Sequence, residues 1–90
     1  MLKTLEDLIN IIRDRKNSSL DKSYTKKLLE DKSLSTEKVK EEIAELIEAV
    51  ENNSNKIHES ADVLYHLIVY LEANNIEIED VLKELEKRKK

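Results

Sequence analysis

The chain has 90 residues, of which 40% are charged, a formal net charge of −4, and no Gly, Pro or Cys. Without Cys there are no disulfides or thiolate metal sites, and without Gly there are no P-loops or dinucleotide-binding turns. The longest apolar stretch falls far short of the ~20 residues of a membrane span, the start shows no basic-then-apolar leader, and the acidic balance argues against nucleic acid as a partner.

Ninety residues suit one domain, 1–90, with a core small enough that an oligomer is expected. The apolar pattern is helical throughout. Leu2, Leu5, Leu8, Ile9 and Ile12 recur at three and four, which predicts a first helix over 2–16. Asn17-Ser18-Ser19 ends it. A short second helix follows Ser23, a good N-cap, through Leu29. Ser33-Leu34-Ser35-Thr36 reads as a break that caps a third helix over 36–51, with Val39, Ile43, Leu46, Ile47 and Val50 as its apolar stripe. Asn52 to Asn55 is a turn, and a fourth helix covers 55–73. Asn74-Asn75 ends that helix, since Asn tolerates the left-handed cap conformation. A fifth helix over 77–88 starts with Glu77, Glu79 and Asp80, where acids suit the helix dipole, and Lys87 to Lys90 reads as its solvated basic end.

The fourth helix is unusual. Ile57, Ala61, Leu64, Ile68 and Leu71 form one stripe, while Val63, Tyr65, Leu67, Val69 and Tyr70 fill the other directions. A helix apolar all round is buried all round. Five short helices hardly surround it, so a four-helix core completed by a second copy of the chain is expected, an all-α homodimer.

Two acidic pairs interrupt this pattern. Glu42 and Glu45 are three apart on the third helix, Glu59 and Asp62 three apart on the fourth, so each pair shares a helix face. On a wheel of about 100° per residue, Glu42 and Glu45 fall roughly 60° and 120° to one side of the third helix's stripe, and Glu41 roughly 160° away. Glu42 and Glu45 therefore border the core, with Glu41 nearer to solvent. Glu59, Asp62 and His66 share the direction opposite the Ile57–Leu64–Ile68 stripe. Acids at helical spacing are common on solvated faces, but two core-flanking pairs on adjacent helices are not. Packed together, four unpaired carboxylates repel strongly. An oxygen-only ligand set of Glu42, Glu45, Glu59 and Asp62 suits Mg²⁺ or Mn²⁺, and such sites take phosphate oxygens from a substrate. His66 reads as a core histidine bonded to a carboxylate or the backbone, or alternatively as a substrate contact.

The order Glu41-Glu42-x-x-Glu45, a gap of 13 residues, then Glu59-x-x-Asp62 resembles the metal signature of the all-α nucleoside triphosphate pyrophosphohydrolases, the MazG-like group. More narrowly, three stretches are similar to phosphoribosyl-ATP pyrophosphohydrolases: Ser23-Tyr24-Thr25-Lys26-Lys27-Leu28, Lys38-Val39-Lys40-Glu41-Glu42-Ile43-Ala44-Glu45, and Glu59-Ser60-Ala61-Asp62-Val63-Leu64-Tyr65-His66-Leu67. Lys40 stands where those enzymes usually have Gly, and the loop before Ser23 lacks their usual Gly or Pro.

The resemblance implies Mg²⁺-dependent hydrolysis of phosphoribosyl-ATP to phosphoribosyl-AMP and pyrophosphate, the second step of histidine biosynthesis, in the cytoplasm. It implies that Glu42, Glu45, Glu59 and Asp62 hold the metal, with Glu41, Glu42 and Glu45 at the chemistry. Lys38 is the best placed of the candidates for the phosphates, followed by Lys26, Lys27 and Arg13. Two other readings stay open: a house-cleaning hydrolase of ordinary or damaged nucleotides, and a non-catalytic helical dimer. A two-iron carboxylate bundle would typically need Glu-x-x-His, and Asp62 stands three after Glu59.

Overall fold

The computed structural model describes residues 2–20 and 22–89; Asp21 of the loop before Ser23 and Lys90 of the basic tail lie outside them. The fold is all-α: among the described residues there are five helices, α1 (Leu2–Asn17), α2 (Tyr24–Glu30), α3 (Lys32–Asn52), α4 (Lys56–Ala73) and α5 (Ile78–Arg88), and no strand.

Four of the helices fall within two residues of the ends the apolar periodicity predicts. The third does not. Ser23 caps α2 as expected, its hydroxyl accepting from the Lys26 N–H at 3.2 Å. But α3 begins at Lys32, not at residue 36. Asp31 both ends α2 and caps α3, its carboxylate accepting from the Leu34 N–H at 3.0 Å. The Ser/Thr run is no break, because its hydroxyls are accommodated inside the helix. Thr36 Oγ1 donates back to the Lys32 carbonyl at 2.9 Å, and Ser35 is buried.

Chain reversals without glycine fall to asparagine. Asn53 and Asn55 take positive φ of 52° and 51° in the turn that folds α4 back along α3. Asn75, with φ of 58°, does the same after α4. Asn accepts this conformation at less cost than other residues with a Cβ. The Ser54 N–H closes on the Ala49 carbonyl and the Ile76 N–H on the Leu71 carbonyl, satisfying carbonyls at both helix ends.

The core forms where α1 and α2 cross the C-terminal half of α4. Ile9 and Ile12 of α1, Leu28 and Leu29 of α2, and Ile68, Val69 and Ala73 of α4 make up its buried cluster. Within one chain, two apolar faces stay outside this core. The α3 stripe does not face this core: Val39 is buried, but Ile43, Ile47 and Val50 are exposed. And α4 is not covered all round: Ile68 is buried, while Ile57 and Leu64 of the same stripe are 88% and 52% exposed. The reason is the count of helices. With α1 and α2 on the C-terminal half of α4, only α3 remains to flank its N-terminal half.

Charged side chains lock the far end of the bundle. Arg13 of α1 donates two hydrogen bonds to Glu79 of α5, at 2.8 and 2.6 Å, and one to Glu72 of α4 at 3.3 Å. Glu72 is buried, so these bonds compensate a charge removed from water. Lys16 donates to the Glu72 carbonyl and to Asn75, and Lys26 donates to the Lys16 carbonyl at 2.9 Å. Both lysines thus meet carbonyls at helix C-terminal ends, which is where cations are favoured.

The Arg13 guanidinium holds the Glu79 carboxyl at about 2, well below its ordinary value of 4.5. A depressed acid stabilises the fold above its unfolded value and loses that effect as pH falls through its folded value. Thermal midpoints of the wild type and Glu79→Gln should therefore differ at pH 7, and the gap should close as pH drops from about 4.5 to about 2. Arg13→Ala should cost more, about 2 kcal/mol in chemical denaturation at pH 7, because it also removes the hydrogen bond to the buried Glu72 carboxylate and leaves it only the longer Lys16 contact at 3.9 Å.

Candidate metal centre

The α3–α4 hairpin is the most extensively packed pair of elements in the fold. Because both acidic pairs point into the seam between these helices, the turn at Asn53–Asn55 converts a sequence pattern into a cluster. One carboxylate oxygen from each of Glu42, Glu45 and Glu59 lies within 4.8 Å of the others. Asp62, Glu59 and His58 also each bring one ligand atom within 4.8 Å of the others. Glu59 belongs to both groups.

Hydrogen bonding does not account for these acids. Glu42 Oε2 and Glu59 Oε2 are withdrawn from solvent and have no hydrogen-bond partner. A buried acceptor without a partner is costly. Two carboxylates at this spacing repel by on the order of 3 kcal/mol at the effective dielectric of a protein surface. Accordingly the Glu42 carboxyl is pushed above the ordinary carboxylate range, first by desolvation and then by Glu45, with Asp62 adding to the effect and His66 opposing it. Orphaned carboxylate oxygens converging from two helices fit a hard divalent cation, whose ligands are oxygens.

His66 lies buried beneath this cluster. Its Nδ1 is 2.9 Å from the Asp62 carbonyl and its Nε2 is 3.4 Å from the Tyr24 hydroxyl. A carbonyl only accepts, so Nδ1 carries a proton and donates to it. The core-histidine reading thus matches its backbone bond. Tyr65 stands edge-on to the imidazole, with ring centroids 4.9 Å apart, and its hydroxyl is hydrogen-bonded to Thr25. The segment Tyr24–Thr25 of α2 is in this way pinned to Tyr65–His66 of α4, at the level of Asp62.

The remaining candidates divide. Glu41 is exposed and pairs with Lys38 at 3.5 Å, as the wheel placed it. Lys38 sits near the cluster's rim, close enough to pull the Tyr24 phenol down while burial, the larger effect, pushes it up. Arg13 and Lys26 are engaged at the other end of the bundle, with Glu72 and Glu79 and with the Lys16 carbonyl. Lys27 is exposed on α2.

Sequence reasoning missed three residues. His58 lies one turn before Asp62, with Nε2 3.3 Å from Asp62 Oδ2; the spacing of four was the available signal. Tyr24 meets His66 only through tertiary packing. Glu72 is buried although nothing local to it announces this.

Comparison with known proteins finds relatives along nearly the whole chain. A family model described as phosphoribosyl-ATP pyrophosphohydrolase matches residues 5–89. The chain is 46% identical over 89 residues to a phosphoribosyl-ATP pyrophosphatase of Clostridium acetobutylicum, spanning 93% of this chain and 79% of that one. It is 38% identical to a phosphoribosyl-ATP pyrophosphatase of Methanococcoides burtonii, over 98% of this chain and 94% of that one. A phosphoribosyl-ATP pyrophosphatase of Halobacterium salinarum is 37% identical, over 99% of this chain and the whole of that one.

Repulsion at Glu42 has a measurable sign. With divalent ions chelated, Glu42→Gln should raise stability by about 1 kcal/mol in a denaturant titration at pH 7, since it removes one unpaired buried charge. A loss of stability instead would mean that the carboxylate is already paired.

Proposed function

This chain belongs to the phosphoribosyl-ATP pyrophosphohydrolase family, and from that premise we propose that it hydrolyses phosphoribosyl-ATP to phosphoribosyl-AMP and pyrophosphate, in histidine biosynthesis, using Mg²⁺ or Mn²⁺. The observation that carries the reading is the pair of orphaned oxygens, Glu42 Oε2 and Glu59 Oε2, in a seam where Glu45 and Asp62 add further negative charge. Glu42, Glu45, Glu59 and Asp62 are the residues that would hold the ion. The chemistry that a divalent cation would supply there is charge neutralisation at the phosphate oxygens and a more acidic water.

Water adds across the phosphoanhydride between the α and β phosphates; its oxygen ends on phosphorus, pyrophosphate leaves, and one proton is released. Glu41, exposed beside the cluster, is the carboxylate we assign to orient that water or take its proton. Lys38 at the rim is the cation we assign to the phosphates, its pairing with exposed Glu41 being weak enough to exchange. His66 keeps a proton on Nδ1 and holds the Asp62 turn, so its role is to fix a ligand's backbone. Arg13 and Lys26 stabilise the bundle and leave the phosphate assignment to Lys38. The site's negative charge, with one rim lysine, suits a substrate that arrives with its cation.

The reading includes a second copy of the chain. Ile43, Ile47 and Val50 of α3 and Ile57 and Leu64 of α4 leave apolar surface exposed on both arms of the hairpin that carries the acids. Apolar surface shared by neighbouring helices is a hallmark of an interface, and a twofold dimer buries the same patch twice. No described helix is long and apolar enough to cross a membrane; we place the enzyme, residues 1–90 as one domain, in the cytoplasm with its nucleotide substrate.

Purified protein with Mg²⁺ should release pyrophosphate from phosphoribosyl-ATP, and far more slowly from dCTP or dUTP. Asp62→Asn and Glu45→Gln should lower kcat by about 100-fold or more with helical circular dichroism unchanged. An Asp62→Asn enzyme of full activity would remove Asp62 from the metal set. Sedimentation should give a dimer, and Ile47→Lys should shift it to monomer; a wild-type monomer at micromolar concentration refutes the assembly.

A further inference from the structure

His58 is the histidine of this chain to which the proposed function gives no role, and it stands beside the metal set. It is exposed on α4, one turn before Asp62, with Nε2 3.3 Å from Asp62 Oδ2. Nε2 or Nδ1 of His58, a Glu59 oxygen and an Asp62 oxygen lie within 4.8 Å of one another. Ligands bound at ~2.1 Å to an octahedral ion are separated by about 3.0 Å when adjacent and about 4.2 Å when opposite. The 3.3 Å between His58 Nε2 and Asp62 Oδ2 falls within this range, and the three groups lie close enough together for small side-chain rotations to bring them onto one ion. Glu59 brings the independent sign of a missing partner, an oxygen withdrawn from solvent with nothing to bond to.

We propose that His58 supplies an imidazole ligand to a divalent cation on the Glu59–Asp62 side of the cluster. The site then favours a transition-metal ion such as Mn²⁺ or Co²⁺ over Mg²⁺ more strongly than carboxylates alone would. This rests on the metal reading above and extends it to ion selectivity. The chemistry is that of donor type. Carboxylates and water suit Mg²⁺ and Mn²⁺ alike, whereas imidazole nitrogen binds Mn²⁺ and the ions after it more readily than it binds Mg²⁺. The move from partner to ligand is small: the exposed imidazole gives up a 3.3 Å contact with Asp62 and loses no packing of a buried side chain. Glu59 faces both groups of acids, so an ion on the His58 side and one on the Glu42–Glu45 side would share it.

The test uses the full chain, stripped of metal and loaded with Mn²⁺. Electron spin-echo spectroscopy should show coupling of Mn²⁺ to an imidazole nitrogen, and the coupling should vanish in His58→Ala. Calorimetric titration should show Mn²⁺ and Co²⁺ affinity about 10-fold weaker in His58→Ala, with Mg²⁺ affinity changed by less than about twofold. Mn²⁺ that binds without nitrogen coupling, or with coupling that survives in His58→Ala, overturns the role of His58 and leaves the carboxylate site standing. Failure of the wild type to bind any of the three ions overturns both. Equal loss of Mg²⁺ and Mn²⁺ affinity on substitution would mean that His58 merely orients Asp62, which also overturns the proposal.

Discussion

Repulsion between carboxylates across the α3–α4 seam is the constraint around which the rest of the molecule is arranged. Glu42 and Glu59 each keep an oxygen out of solvent without a hydrogen bond, and the upward push on the Glu42 carboxyl is the electrostatic signature of that crowding. Left to itself, such a seam would open. It is held closed from outside. The asparagine turn fixes the hairpin at one end, and the α1–α2 contacts with Ile68, Val69 and Ala73 fix α4 at the other. The pinning of Tyr24–Thr25 against Tyr65–His66 ties α2 to the middle of α4, at the turn that carries Asp62. Stability generated in one half of the bundle is thereby used to hold strained charge in the other, the usual trade between a stable fold and a working site.

The same division explains which cations do what. Arg13, Lys16 and Lys26 sit at the stable end, each bonded to a carboxylate or a helix-terminal carbonyl. None is left over for the acid cluster, which keeps its negative charge apart from His66 beneath it and Lys38 at its edge. A seam so arranged can take a metal ion together with a polyphosphate, because the protein has not spent its own cations there. The apolar surface that α3 and the first half of α4 leave open lies on the arms of the same hairpin, so a second copy would stiffen the elements that bear the acids.

Much of this was legible in the sequence, for reasons that are physical. Apolar residues at three and four spacing gave the five helices, and the acids at 42, 45, 59 and 62 stood out because charge rarely borders a core face. The wheel placed Glu41 outside the cluster, where it is found paired with Lys38. What failed was whatever depended on tertiary partners. Hydroxyls at Ser35 and Thr36 look like a helix stop until Asp31 provides the cap and Thr36 bonds back to Lys32. Arg13 looks like a phosphate ligand until Glu72 and Glu79, from distant parts of the chain, surround it. The apolar stripe of α3 reads as a stripe, but periodicity tells that a face is to be covered and not by what: within one chain Ile43, Ile47 and Val50 stay exposed.

The most direct test of the central claim is to locate the ion. Crystals soaked in Mn²⁺ and measured for anomalous scattering should show density in the α3–α4 seam, among Glu42, Glu45, Glu59 and Asp62. Density confined to other acids, such as Glu77 and Glu79 at the opposite end of the bundle, or none in the seam at millimolar Mn²⁺, would contradict the account.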